Sequence, residues 1–190
     1  ELANRNLTKA RRIFSSLAKK NFRAGDCYNA IGRSYLEEGK LGEAEKAFGK
    51  SVLVDPESRL AWSKLAEIQN SKQNLAQEIQ ALRKVVALEP KNVEALAAFV
   101  EALVRGGLFR KVHRLTIRSK LPFLPRSILF AFARSCIELG DMRRGLSTLD
   151  ELIKDGYRLP ETLLLKGNLM VLLKRFKQAV ACYSEALDFK

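Results

Sequence analysis

Apolar residues along the 190-residue chain recur at helical spacing, and the runs break at regular intervals. Between residues 25 and 58, Tyr28, Ile31, Gly32 and Tyr35 mark one helix, and Ala44 and Phe48 mark a second. Gly39 stands between them, where a helix ends on a residue with positive φ. Pro56 follows, where a helix cannot continue. The same order returns 34 residues later as Trp62, Leu65, Ala66, Leu82 and Pro90. A unit of that size cannot bury its own apolar face, so the period predicts hairpins that stack into one continuous core.

The remaining segments extend the pattern with local departures. Residues 1–24 place Leu7, Ala10, Phe14 and Leu17 at helical spacing and read as the second helix of a truncated repeat. Residues 25–58 and 59–92 are full repeats, followed by 93–125, 126–159 and 160–190, and 1–190 reads as a single array. In the third repeat Leu96, Phe99, Val100 and Leu103 form a clear first helix before Gly106 and Gly107. Its second helix carries Thr116 and Ser119 in columns that are apolar elsewhere. The run Leu121, Pro122, Phe123, Leu124, Pro125 then cuts it short. This run is either a connector tucked into the core or a hinge, with stacking expected to be thin there. The pattern recovers with Leu129, Phe132, Ala133, Cys136, Leu149 and Leu152, then with Leu163, Gly167, Met170, Ala179, Tyr183 and Ala186. No closing proline follows, and Leu187 and Phe189 do not read as a polar cap, so a fragment of a longer protein is expected.

The aromatic, Leu-Gly, Tyr, Ala, Phe and Pro columns resemble those of the tetratricopeptide repeat family. The resemblance implies an all-α fold, a right-handed α-solenoid of stacked antiparallel helix hairpins. Glu78 departs from it, falling where the family prefers a small residue, so that either the helices spread or the carboxylate snorkels outward. Gly145 supplies the small residue in the fourth repeat.

Charge adds a feature that periodicity does not show. Lys and Arg number 34 against 21 Asp and Glu, a net +13. The excess sits in two blocks, 1–24 and 105–126, and the second contains no acidic residue. In the first block Lys9, Arg12, Lys19 and Lys20 fall opposite the apolar face and read as a solvated surface. Cys27, Cys136 and Cys182 are odd in number and widely spaced, which gives neither a disulfide framework nor a zinc motif. No apolar run approaches the ~18 residues of a membrane span. These features lead to an expectation of a cytoplasmic protein. A single histidine, His113, and the absence of phosphate-loop or nucleophile motifs argue against catalysis, and no cofactor or metal is expected.

Binding is the remaining class. The resemblance implies a concave groove lined by first-helix residues rotated away from the core. On this chain they are Asn29, Arg33 and Leu36, then Lys64 and Glu67, then Ala97, Ala98 and Glu101. Phe130, Ala131 and Arg134, then Leu164 and Asn168, complete the set. The groove reads as polar at its amino-terminal end and apolar at its other end, suited to an amphipathic helix or an extended peptide. The clamp with which some members hold chaperone tails is missing, because Glu94 stands where a cation is expected. The turns carry Lys72, Arg105, Arg110, Lys111, Arg143, Arg144, Lys174, Arg175 and Lys177, a basic edge. That edge suits an acidic protein partner, with nucleic acid the alternative. Phe109 and Phe176 lie in the same turns and are read as core. Self-assembly through the array ends is the third possibility.

Overall fold

The computed structural model describes residues 2–118, 123–157 and 160–188. Ser119, Lys120, Leu121, Pro122 and Phe189 therefore lie outside the described residues, and with them two of the five residues of the expected connector or hinge. Among the described residues there are eleven helices and no strands. They are α1 (Leu2–Lys19), α2 (Ala24–Glu37), α3 (Leu41–Val54), α4 (Arg59–Ser71), α5 (Leu75–Leu88), α6 (Val93–Arg105), α7 (Phe109–Arg118), α8 (Arg126–Glu138), α9 (Met142–Lys154), α10 (Pro160–Leu172) and α11 (Phe176–Leu187). The fold is all-α and built of helix hairpins. The chain forms two compact units, Glu1–Ala95 and Leu96–Lys190.

One backbone device closes each hairpin. Gly39, Gln73, Gly107, Gly140 and Lys174 occupy equivalent turn positions, and all have positive φ, between 56° and 84°. In each case the next residue donates its N–H back to a carbonyl five residues earlier: Lys40 to Tyr35, Asn74 to Gln69, Leu108 to Leu103, Asp141 to Cys136 and Arg175 to Met170. This left-handed cap satisfies the last carbonyls of the first helix and turns the chain into the second.

In the first unit, α1 packs on α2, α2 pairs with α3, α3 meets α4 and α4 pairs with α5. Ala18, Ala24 and Cys27 form a small core between α1 and α2, flanked by Phe14, Leu17 and Tyr28. A second tie joins the same two helices. The Arg11 guanidinium lies 4.4 Å from the Tyr35 ring centroid and 2.6 Å from a Glu38 oxygen. Lys40 holds the other Glu38 oxygen at 2.7 Å. The hydrogen bond from Lys40, then that from Arg11, lowers the Glu38 carboxyl below its ordinary value.

Gly32 faces the ring of Phe48 so closely that a Cβ there would stand 2.8 Å from it. In the second unit a Cβ on Gly167 would stand 2.4 Å from Tyr183. The intermediate repeats carry Ala66 with Leu82, Val100 with Thr116 and Ala133 with Leu149 in the same two columns. The larger the first member, the smaller the second. Thr116 is accordingly buried, and its hydroxyl donates to the Val112 carbonyl at 3.0 Å. The polar group that suggested thin stacking is satisfied within its own helix.

The second unit centres on Ala133, Leu149, Leu152 and Leu169, against which Leu129, Ile137, Leu165 and Leu173 pack. The α7–α8 seam is bridged by rings: His113 stacks on Phe132 at 5.2 Å, and the Arg134 guanidinium lies 6.0 Å from the Phe109 ring centroid. Two expectations are corrected. Glu78 is buried rather than snorkelling outward, and Phe176 is 62% exposed rather than core, because no described element beyond α11 covers it.

Candidate functional site

In the second unit, the first helices α6 and α8 leave a pocket of about 390 Å³ between them. Ala97, Ala98 and Glu101 line it from α6, and Phe130, Ala131 and Arg134 line it from α8. These are six neighbouring residues of the expected groove, and the structure brings them together. Val100, Val104, Ser127 and Tyr157 complete the wall. Val104 follows Ala97 and Glu101 at helical spacing, and Ser127 precedes Phe130 and Arg134 in the same way, so both were accessible to a periodicity argument. Tyr157 was not. It comes from the connection after α9, where Gly156 at φ 79° turns the chain and the Tyr157 N–H bonds to the Leu152 carbonyl at 2.8 Å. Arg126 covers the Tyr157 ring at 5.7 Å while donating to the Asp155 carbonyl at 3.2 Å.

The wall is mostly apolar, with one carboxylate and one guanidinium, both exposed. That composition holds an apolar side chain and orients polar groups around it. Phe130 is half-buried and packs partly against the unit's core, which corrects the expectation that it has no packing duty.

The other expected groove residues are dispersed. Leu164 is exposed on α10, and Asn168 accepts a hydrogen bond from the Tyr183 hydroxyl at 2.7 Å. In the first unit Arg33 is exposed, and Lys64 is paired with Glu67 at 2.7 Å. Asn29 is buried, and its amide donates to Ser58 Oγ at 3.1 Å. Its polar head faces the protein interior instead of a groove.

Of the basic residues, Arg105 is exposed at the end of α6, and Arg110 and Lys111 are exposed in the first turn of α7. Arg143, Lys174, Arg175 and Lys177 are exposed too. Arg144 lies 3.5 Å from Asp141, whose carboxylate caps α9 by accepting the Arg144 N–H. Lys72 is held by Glu45, and its hydrogen bond lowers the Glu45 carboxyl. Lys72 therefore belongs to an internal network.

The three cysteines are free and buried. Burial pushes the Cys136 thiol up to about 11 and raises that of Cys182, which keeps both protonated and unreactive near neutrality. Among the described residues no group of three or more His, Cys, Asp or Glu could hold a metal ion. No helix among them is long and apolar enough to cross a membrane.

Residues 29–93 match a family model described as tetratricopeptide repeat. Over those residues the chain carries tetratricopeptide repeats. A peroxisomal targeting signal receptor of Komagataella phaffii is 36% identical over 90 residues, which are 47% of this chain and 16% of the receptor. A chloroplastic tetratricopeptide repeat domain-containing protein of Arabidopsis thaliana is 32% identical over 65 residues, 34% of this chain and 22% of that protein. The chain thus spans less than a quarter of the length of either relative. Among solved structures, YrrB, described as a tetratricopeptide repeat protein with an unusual peptide-binding site, aligns over 92% of this chain and 91% of its own. Its TM-score is 0.75 at 14% identity. MamA aligns over 86% of this chain and 90% of its own, with a TM-score of 0.74 at 17% identity. At these identities the likeness is one of fold.

Proposed function

We propose that the repeats form a non-catalytic scaffold whose α6–α8 pocket takes an apolar segment of another protein, or of a longer parent chain. The convergence of Ala97, Ala98, Glu101, Phe130, Ala131 and Arg134 on one pocket carries this reading. The relatives support it from outside, being named for a targeting-signal receptor and for a peptide-binding site. Glu101 and Arg134 at the wall would pair with the backbone or charged flanks of the bound segment, and the buried apolar area would supply most of the affinity. The exposed cations at the starts of α7, α9 and α11 would steer an acidic partner towards it. The cytosol is the compartment that suits its free thiols.

The test uses Ala98→Glu, because Ala98 is exposed in the pocket and has no part in the core. Proteins captured by the wild type and by the variant are compared by mass spectrometry, and the segments that differ are titrated as synthetic peptides. A loss of about 2 kcal/mol or more, the scale of an interface hot spot, is expected from Ala98→Glu at unchanged thermal stability. Equal affinity of both proteins for every captured segment would remove the pocket from the proposal.

A further inference from the structure

Helix α7 carries Arg110, Lys111, Arg114 and Arg118, all exposed. The three arginines recur every four residues and form one row, about 6 Å apart at the rise of an α-helix. Among the described residues none of the four is seen in an ion pair. The first turn of α7 has no acidic residue, and neither has the stretch 105–126. The ion pairs among the described residues fall elsewhere, as at Arg11–Glu38, Lys40–Glu38 and Lys166–Asp150. Like charges four residues apart repel, and cations in a first turn face the positive end of the helix dipole. Arg110 and Lys111 therefore work against the start of the helix, which is held by its inward side, with Val112 and Thr116 buried.

The same outer face leaves Ile117 57% exposed among the cations, and Phe123, beyond the helix, is 86% exposed. The aromatic rings of α7 are already engaged, since Arg134 covers Phe109 and His113 stacks on Phe132. Single-stranded nucleic acid is held by a positive groove with free stacking platforms, and α7 offers neither a groove nor a free ring of its own. Cations in a row with a bulky aliphatic among them suit a planar anionic surface instead. Guanidinium forks donate to phosphate and carboxylate oxygens, while exposed apolar side chains enter the boundary between headgroups and acyl chains. Clusters of four to eight cations on a helix are the footprint that anionic lipids attract.

We propose that the outer face of α7 docks peripherally on an anionic lipid bilayer. The proposal does not depend on the scaffold reading, because none of these residues lines the α6–α8 pocket.

Flotation of the full chain with phosphatidylcholine vesicles, with and without phosphatidylserine, tests it. Binding only in the presence of phosphatidylserine is expected, weakening as salt rises. Each cation at such a surface contributes about fivefold to partitioning, so Arg110→Ala, Arg114→Ala and Arg118→Ala together should lower it about a hundredfold. The three changes favour the helix, and a thermal melt checks that the variant folds. Ile117→Ser, which leaves every charge in place, should selectively remove the binding that survives high salt. Equal flotation with and without phosphatidylserine, or a folded triple variant that floats like the wild type, overturns the proposal. So does failure to bind either vesicle. A single-stranded oligonucleotide held through the same three arginines, with no flotation, would assign the face to nucleic acid instead.

Discussion

Gln73 holds φ at 56° in the turn between α4 and α5, where three of the four equivalent turns that bracket it along the chain use glycine. A side chain in this left-handed region crowds the following carbonyl, at a cost of about 1–2 kcal/mol that glycine avoids. Glycine returns part of that gain through the greater freedom of its unfolded chain. Gln73→Gly should therefore stabilise the protein by about 0.5–1 kcal/mol, readable as a higher midpoint in urea or heat. Lys174→Gly has the same logic but also removes a cation of the basic edge, which makes Gln73 the cleaner test. Individual side chains were the least legible level of the sequence. Asn29, Phe176 and Glu78 sit in repeat columns whose usual exposure is known, yet each departs from it for a local reason. Asn29 finds Ser58 at the far end of its own repeat, Phe176 is covered by no described helix, and Glu78 is enclosed although ionisable. Such pairings depend on which residues meet in space, and spacing along the chain does not encode that.

Helices, by contrast, were readable almost throughout, because periodicity and turn glycines are local signals. What the pattern concealed is how the two helices of a hairpin share volume. Gly32→Ala should drive a methyl into the Phe48 ring and destabilise the first unit by about 1–3 kcal/mol. Gly32→Ala with Phe48→Leu reproduces the Ala66 and Leu82 pair of the next repeat and should recover much of that loss. Chemical denaturation of the two variants decides the matter, and an additive double variant would refute the shared-volume account. The same view revises the third repeat, where Thr116 stands in the column opposite Val100, buried and bonded to the Val112 carbonyl, and is not a defect. The tie between α1 and α2 has its own signature. A carboxyl whose pKa is lower when folded contributes stability that is present above its unfolded value and lost as pH falls through the folded one. For Glu38 the unfolded value lies near 4.5, so the tie should weaken as the solution is acidified below it. Glu38→Gln should flatten this part of the dependence of the melting temperature on pH.

At the scale of the whole molecule, the net +13 divides into cations that are used internally and cations that are not. Arg11, Lys40, Lys64, Lys72 and Lys166 each meet a carboxylate. Arg143, Lys174, Arg175 and Lys177 on the turns remain open to solvent. Exposed charge of this kind accelerates encounter and is screened beyond ~8 Å at physiological salt. Arg143→Glu with Arg144→Glu should thus slow association with an acidic partner more than it hastens dissociation, as stopped-flow or surface kinetics would record. A loss confined to the dissociation rate would count against steering. The sequence located the charge blocks but could not say which cations were spent. The α6–α8 pocket was largely legible for a related reason: most of its lining residues lie on two helices with the same period. Tyr157, which depends on a turn, was not.

The volume shared between Gly32 and Phe48, and between Gly167 and Tyr183, bears on how such chains can be recombined. A crossover placed in the turn of a hairpin would join the first helix of one repeat to the second helix of another. A chain with Val100 opposite a phenylalanine would then be overfilled, and one with Gly32 opposite a threonine would carry a void. Junctions at 58–59 or 159–160 keep each matched pair intact. The hairpin, and not the helix, is the smallest piece of this protein that can be inherited or transplanted whole.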